Sequence, residues 1–172
     1  MLVVRGVGGL LSFGLAGGLD PALPSGALVV PAEVIEDGRH YPADPGLSAR
    51  FGGTMSLRAL SGRAVLAEPA AKRAAHAATG AAIIDLESGA VARVAHRHDL
   101  PFAVLRAVCD PASRGLPPLA LAALDAGGRI GVWRVTASLL RHPGQIPSLI
   151  GLARDAMRAR AALTTAVRRS LA

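Results

Sequence analysis

Two carboxylates, Glu87 and Asp110, are the residues whose types and positions most strongly suggest chemistry. Each follows an apolar run typical of a buried strand, Ala81–Leu86 for the first and Phe102–Val108 for the second. Ligands of open α/β sheets bind outside the carboxyl ends of parallel strands, so both acids are expected at one edge of the sheet. The glycine-rich segment Gly14–Gly18 also follows a predicted strand, and as a turn it would add free backbone N–H groups to that edge.

Each of these features also has an ordinary structural explanation. Glu87 could favour a helix N-terminus through the helix dipole, and Asp110, which precedes Pro111, could close an Asx turn. The glycines could simply reverse the chain. Their expected placement at one edge favours a shared site over three unrelated features.

The elements that must position these acids predict an α/β fold. Apolar runs bounded by turn residues predict strands at Leu10–Gly14, Ala27–Pro31, Arg63–Ala67, Ala81–Leu86 and Phe102–Val108, while residues 36–56 are interpreted as loop. A helix is predicted from Pro69 to Ala78, with Gly80 as its C-cap. A second helix, Glu87–His98, would join two strands into a βαβ unit, whose strands must then be parallel.

The C-terminal part is predicted to be helical. Short helices are expected at Pro118–Asp125 and Val132–Leu140, and a long terminal helix after an N-cap at Ser148. Its apolar residues are expected to face inward and its arginines to face solvent: Leu149, Ile150, Ala153 and Met157 inward, Arg154 and Arg158 outward. Residues 129–172 would then form a helical extension of a single domain, 1–172.

Composition narrows the function classes. The chain has 172 residues, of which 51% are hydrophobic and 3% aromatic, which predicts one domain with an aliphatic core. The net charge of +7 is spread over scattered arginines without interleaved aromatic residues, so we expect no nucleic-acid partner. The segment Met1–Leu19 is too rich in glycine for a signal peptide or a membrane span. A single cysteine, Cys109, excludes an internal disulfide and favours the cytoplasm.

Other candidate residues rank lower. His96 and His98 are two positions apart on a helix and do not share a face, so no metal site is predicted. His40 and Tyr41 lie in the predicted loop, where an ordinary role is favoured over a place in a substrate pocket. Cys109 fits a buried structural cysteine better than a nucleophile.

Three blocks of the chain resemble the nucleoside phosphorylases and the methylthioadenosine/S-adenosylhomocysteine nucleosidases. The segment Phe13-Gly-Leu-Ala-Gly-Gly-Leu19, followed by the predicted strand after Pro24, resembles their glycine motif and next strand. The segment Ile84-Asp-Leu-Glu-Ser-Gly-Ala-Val-Ala92 resembles their acid-Met-Glu helix entrance, and Pro101–Asp110 resembles their last core strand with its terminal Asp. The tail around Leu139–Gln145 is most similar to the hopanoid-biosynthesis-associated phosphorylase branch.

This resemblance implies a three-layer α/β/α phosphorylase-type fold with a central mixed sheet. It further implies cleavage of a purine nucleoside, with Glu87 on the ribose hydroxyls, Leu86 packed on the sugar and Asp110 at the purine N7. The glycine motif, Gly14, Leu15, Ala16 and Gly17, would bind phosphate as a co-substrate, and no other cofactor is expected. The substrate of the hopanoid branch implies an adenine nucleoside with an apolar 5′ group, and the family implies a homo-oligomer.

The chain departs from the family pattern in three ways. Family members begin several dozen residues earlier, so the first strands of the fold are expected to be missing. Leu15 stands where many relatives carry Ser or Thr, which leaves only backbone N–H groups to hold an anion. Asp85 and Leu86 replace the usual Glu and Met. Phosphorolysis is the expected reaction, and hydrolysis or nucleoside binding without turnover remain the alternatives.

Overall fold

The structure, a computed structural model, describes residues 6–52, 57–116 and 146–170. This part of the chain contains seven strands and four helices: four strands come first, and helices and strands alternate after them. The order is β1 (Leu10–Gly18), β2 (Leu28–Val29), β3 (Glu33–Glu36), β4 (Arg39–Pro42), α1 (Pro45–Ala49), β5 (Arg58–Ser61), α2 (Pro69–Thr79), β6 (Ile83–Asp85), α3 (Ser88–Arg97), β7 (Phe102–Asp110) and α4 (Ile146–Ser170).

The strands form one mixed sheet in the order β2-β7-β1-β6-β5-β3-β4. The long strands β1 and β7 pair in parallel from Leu10↔Phe102 to Gly17↔Asp110 and form its longest pairing. Helix α3 contacts β1, β3 and β7, whereas α4 contacts β7, β1 and β2. The aliphatic residues of β7 alternate between two separate hydrophobic clusters, one with Val104 and Val108 and the other with Leu105 and Ala107. The predicted α/β fold with a central mixed sheet and a C-terminal helix is confirmed.

The predicted parallel βαβ unit is wrong. Strands β6 and β7 are not neighbours, because β1 lies between them. The pairing of β1 with β6 is antiparallel and covers Gly17↔Ile84 and Gly18↔Ile83. The strand–helix–strand pattern therefore located each element correctly, but it could not reveal that a strand from the other end of the chain occupies the place between them.

Two predictions in the first half of the chain are also wrong. Residues 63–67 do not form a strand: β5 ends at Ser61, and the backbone of Ala67 accepts a hydrogen bond from Leu116 N at 2.9 Å instead of joining the sheet. Residues 36–56 are not all loop. The turn residues Asp37 (φ 49°) and Gly38 (φ 75°) close a hairpin between β3 and β4, which is the ordinary behaviour of an Asp-Gly pair.

The two helices that flank the predicted site begin and end close to their predicted limits. Helix α2 begins at Pro69 and ends at Gly80, which adopts a left-handed conformation with φ 66° and so confirms the predicted C-cap. Helix α3 begins one residue after Glu87. Its buried residues include Ala92 and Ala95, whereas Ala90 and Val94 are exposed.

Helix α4 is present, but it packs on a different face from the one predicted. It begins at Ile146, so it already includes Ser148, the predicted N-cap. Ile150 and Met157 are exposed, and Ala159 and Leu163 pack instead against β7. The rotation places Asp155 in the interior, where it pairs with Arg114. The predicted helices at 118–125 and 132–140 lie outside the described residues.

Among the helices in the described ranges, none combines the length and the apolar character needed to cross a bilayer.

Candidate active site between strands β1, β6 and β7

Asp110 ends the long strand β7 and is buried, with 5% of its surface exposed. Its Oδ2 atom lies 2.5 Å from the Nζ atom of Lys72, which comes from α2 and is completely buried. Lys72 Nζ also donates to the carbonyl oxygens of Arg114 at 3.0 Å and Pro111 at 3.1 Å. The buried ammonium thus has the several acceptors that a charge needs in a protein interior.

The two carboxylate oxygens of Asp110 differ in their hydrogen bonding. Oδ1 is buried and has no hydrogen-bond partner among the described residues. Burial raises the pKa of Asp110, and the hydrogen bond and charge of Lys72 oppose that rise without cancelling it. Asp110 therefore holds its proton more tightly than an exposed aspartate does, and its Oδ1 atom keeps the capacity to bind a ligand.

Glu87 differs from Asp110 in being accessible. It precedes α3, and its side chain is 69% exposed. Its Oε2 atom lies 3.3 Å from Nη2 of Arg106, a residue of β7 that is itself buried. An accessible carboxylate that is held from below by a guanidinium is suited to accept hydrogen bonds from the hydroxyl groups of a ligand.

Four buried polar residues hold the exposed Glu87 carboxylate in place. Together with Glu87 they form what we call the Arg106 cluster: Ser12, Asp85, Glu87, Ser88 and Arg106. Arg106 Nε lies 3.0 Å from Asp85 Oδ2, and Nη2 donates to Ser12 Oγ at 2.8 Å. Asp85 Oδ2 also accepts a hydrogen bond from Ser88 Oγ at 2.5 Å, while Oδ1 accepts from the backbone N–H groups of Glu87 at 2.9 Å and Ser88 at 2.7 Å. Asp85 thereby fixes the first turn of α3 and the position of Glu87.

The glycine-rich segment is a strand, so its prediction as a turn is wrong. Gly14, Leu15, Ala16 and Gly17 all lie within β1 and pair with β7. Gly14 gives Arg106 room, because a Cβ atom at this position would lie 2.5 Å from Nη1 of that side chain. The anion-binding role of these residues stays a prediction, now for a strand instead of a loop.

Gly17 of β1 pairs with both neighbouring strands. It is the β1 partner of Asp110 on one side and of Ile84 on the other, and Ile84 is three residues before Glu87. The shared edge that was expected from parallel β6 and β7 strands is wrong: because β6 runs antiparallel to β1, Glu87 lies beside Arg106, four positions before Asp110 on β7. Leu86, which the resemblance places against a sugar, is 45% exposed beside Glu87.

The sequence interpretation missed Lys72, Arg106 and the serines of the Arg106 cluster. For Arg106 a signal exists, since a single charged residue within the apolar run Phe102–Val108 requires a buried partner. For Lys72 the only unusual feature is that it is the one lysine of the chain. Its partner, Asp110, is 38 residues away, and the sequence around Lys72 does not indicate that the side chain points inward.

The remaining candidates have structural surroundings. Burial, together with the nearby charge of Asp110, raises the pKa of the Cys109 thiol to about 11, which makes it a poor nucleophile at neutral pH. His96 packs edge-on against Tyr41, with ring centroids 5.9 Å apart. His40 Nδ1 lies 3.1 Å from Glu33 Oε2 at the surface.

A cavity of about 580 Å³ lies at the opposite end of β1, lined in part by Leu10, Leu47 and Pro101. Its carboxylate, Asp44, already accepts a hydrogen bond from Leu47 N at 2.7 Å and caps α1. Asp110, at the end of β7, and Glu87, beside Arg106, are therefore stronger candidates for chemistry than this cavity.

Comparison with known proteins gives a consistent result. The family profile of the phosphorylase superfamily matches residues 1–126. No curated protein matches the chain significantly.

Solved structures with the same fold include several nucleosidases. An S-adenosylhomocysteine nucleosidase from Streptococcus pyogenes, in complex with 5-methylthiotubericidin, is 18% identical, with a TM-score of 0.70 over 99% of this chain and 70% of that one. A 5′-methylthioadenosine/S-adenosylhomocysteine nucleosidase from Neisseria meningitidis, in complex with methylthio-immucillin-A, is 16% identical, with a TM-score of 0.70 over 99% of this chain and 72% of that one. The corresponding enzyme from Colwellia psychrerythraea, in complex with adenine, is 21% identical, with a TM-score of 0.58 over 64% of this chain. The chain spans less than two thirds of several solved structures that it matches: 57% of the Colwellia chain, 62% of a chain from Weissella paramesenteroides and 60% of one from Helicobacter pylori.

Proposed function

Because the chain belongs to the phosphorylase superfamily, we propose that its site cleaves the N-glycosidic bond of an adenine nucleoside. The observation that carries this proposal is that the site contains two acids with different surroundings. Asp110 is buried, has a raised pKa and has no partner for Oδ1 among the residues that the structure describes, whereas Glu87 is exposed and forms an ion pair with Arg106.

The two acids meet the two needs of this reaction. As the bond between C1′ and N9 breaks, the sugar becomes an oxocarbenium-like cation and the purine gains negative charge. A proton from Asp110 to N7 neutralises the leaving base, which is a contribution of about 10²–10⁴ in rate for a well-placed general acid. The Glu87 carboxylate would accept hydrogen bonds from the ribose hydroxyls and would stabilise the cationic sugar.

Water is the nucleophile that the site favours. A phosphate co-substrate needs cationic or N–H donors, and the two buried cations of the site are already engaged by carboxylates, Lys72 by Asp110 and Arg106 by Asp85 and Glu87. The solved structures that share the fold include nucleosidases. Hydrolysis is therefore proposed in place of the phosphorolysis that the sequence suggested.

An apolar or thioether group at the ribose 5′ position fits the comparisons. The Streptococcus and Neisseria structures contain methylthio-substituted nucleoside analogues. The segment Leu139–Gln145 resembles the hopanoid-biosynthesis-associated phosphorylases, and this resemblance suggests an adenosyl-hopane as a larger substrate of the same class. We propose a 5′-substituted adenosine with an apolar group as the substrate, and the hopanoid as a specific case of it.

The direct test measures free adenine by chromatography, with adenosine, 5′-methylthioadenosine and a 5′-alkyl adenosine, each with and without inorganic phosphate. We expect release from the 5′-apolar substrates that does not depend on phosphate. Release that requires phosphate would replace hydrolysis by phosphorolysis. Absence of release, with calorimetric binding of adenine retained, would identify a nucleoside-binding protein without turnover.

A further inference from the structure

The surroundings of Lys72 are unusual for a surface-forming helix. It lies in the second turn of α2, where its neighbours Arg73 and Ala74 are exposed, yet the Lys72 side chain is completely buried and points to the end of β7. Burial of a lysine charge is costly and is rare without a specific partner. The position therefore requires an explanation that helix packing alone does not supply.

The contacts of Lys72 converge on Asp110 and on the backbone that follows it. Besides Asp110 Oδ2 at 2.5 Å, Nζ reaches the carbonyl oxygens of Pro111 and Arg114, and that of Asp110 itself at 3.5 Å. Four acceptors from residues 110–114 thus surround one ammonium group. This arrangement fixes the rotation of the Asp110 carboxyl group and commits Oδ2, so that Oδ1 alone is left for a ligand.

We infer that Lys72 is a positioning residue for Asp110: it orients Oδ1 toward the purine and compensates the charge that Asp110 acquires when it gives up its proton. This inference rests on the proposed function, because it assigns Lys72 a part in the same cleavage. Oδ1 has almost no contact with solvent, so a purine reaches it only when neighbouring side chains move aside.

The proton and the electrons balance in this scheme. Protonated Asp110 donates from Oδ1 to purine N7 while the electron pair of the C1′–N9 bond moves to the base. Asp110 is left as a carboxylate, and its Oδ2 atom already accepts a hydrogen bond from the Lys72 ammonium, so that the new charge is neutralised without movement of either side chain. Water adds to C1′ and releases one proton, and solvent reprotonates Asp110.

The charged and titratable groups around Asp110 allow a pH test. Lys72 from α2 and Arg114 from the segment after β7 lower the pKa of Asp110, whereas burial and Asp155 from α4 raise it, and Cys109 is its neighbour on β7. Cleavage that needs protonated Asp110 declines as the pH rises through the pKa of that group. Removal of Lys72 takes away the main lowering influence, so this decline must move to higher pH.

The experiment compares Lys72→Met, Lys72→Arg and, as a matched control on the same helix, Arg73→Met. For K72M we expect kcat to fall about 10- to 100-fold, within the range that general acid catalysis contributes, and the alkaline decline of kcat/KM to move to higher pH. K72R retains the cation and should restore the wild-type pH profile in part. R73M, which removes an exposed cation, should leave both quantities unchanged.

A second measurement does not depend on turnover. Lys72 is the only lysine, so a sample labelled with 13Cε-lysine gives one side-chain NMR signal. We expect that signal to shift when adenine binds to the wild type and not when it binds to Asp110→Asn. A wild-type signal that adenine binding leaves unchanged, or a K72M variant with the wild-type pH profile, would overturn the role of Lys72 alone. A wild type that neither binds nor releases adenine would contradict the proposed function itself.

Discussion

The molecule holds two buried ion pairs only a few residues apart on β7, and they differ in how completely their polar atoms are paired. In the Arg106 cluster every buried side-chain oxygen and nitrogen has a partner, and Asp85 alone accepts bonds from Arg106, Ser88 and two backbone N–H groups. In the Lys72–Asp110 pair, the buried Oδ1 atom of Asp110 has no partner within the described part of the chain.

This difference separates a supporting role from a reactive one. A fully paired buried network stabilises one conformation, and its buried members have no bonding capacity left for a ligand, which leaves only the exposed Glu87 carboxylate accessible. An unpaired buried oxygen costs about 1–3 kcal/mol of folding free energy, which a bound ligand can recover. The Arg106 cluster therefore serves mainly to hold Glu87 and α3, while Asp110 keeps the capacity for chemistry.

The pKa behaviour of Asp110 supports the same distinction. Because burial raises its pKa above the unfolded value, the folded state binds this proton more tightly than the unfolded chain does. Its contribution to stability is consequently greatest below the unfolded pKa and declines as the pH rises through the raised, folded pKa. A raised pKa is the direction that general acid catalysis requires, and burial of the carboxyl group, which raises it, costs stability once the group is ionised.

The largest effect is expected from Asp110→Asn. The amide can still accept a hydrogen bond from Lys72, but it has no acidic proton for N7, so adenine release should fall by about 10²–10⁴ while the fold is retained. Steady-state kinetics and circular dichroism measure the two parts of this expectation. Asp37→Asn is the matched control, because Asp37 pairs with Arg63 at the surface and should leave release unchanged. Wild-type turnover in D110N would remove Asp110 from the reaction.

The second effect, on stability, is expected from Arg106→Met. It leaves Asp85 buried without its cation, and the loss of one partner from a buried pair costs about 3–5 kcal/mol. Denaturant unfolding measures the change, and Arg63→Met, which removes an 84% exposed arginine, should give no measurable loss. Asp85→Asn in the R106M background should recover part of the stability. A loss in R106M no greater than that in R63M would show that the cluster does not support the fold.

Local patterns predicted the positions of the elements well and their arrangement poorly. The apolar runs before Glu87 and Asp110, the helix between them and the Gly80 cap all correspond to observed elements, because each depends on residues within one turn or one strand. The order of the strands depends on β1, whose residues are more than 60 positions from β6 in the chain. No periodicity records such a pairing.

The candidate site shows the same limit. Glu87 and Asp110 were recognisable because each follows a strand, but their partners come from distant segments: Lys72 lies 38 residues from Asp110, and Ser12 lies 94 residues from Arg106. Asp85 was noted only as a replacement for Glu, although it anchors α3 through two backbone N–H groups. Buried pairing is a property of the folded contacts, so residue type alone does not reveal it.

Gly14 allows the smallest and most specific test, because its prediction as part of an anion-binding turn and its observed place beside Arg106 lead to different outcomes. A Cβ atom 2.5 Å from Arg106 Nη1 would push the guanidinium away from Asp85 and Ser12, so Gly14→Ala should lower the free energy of unfolding by about 1–3 kcal/mol. Gly8→Ala is the control, since a Cβ atom there meets nothing within 4 Å. In the R106M background the cost of G14A should largely disappear, because the atom it displaces is gone. A cost that persists without Arg106 would mean that β1 itself needs Gly14. It would contradict the explanation that Gly14 is required to accommodate the Arg106 side chain.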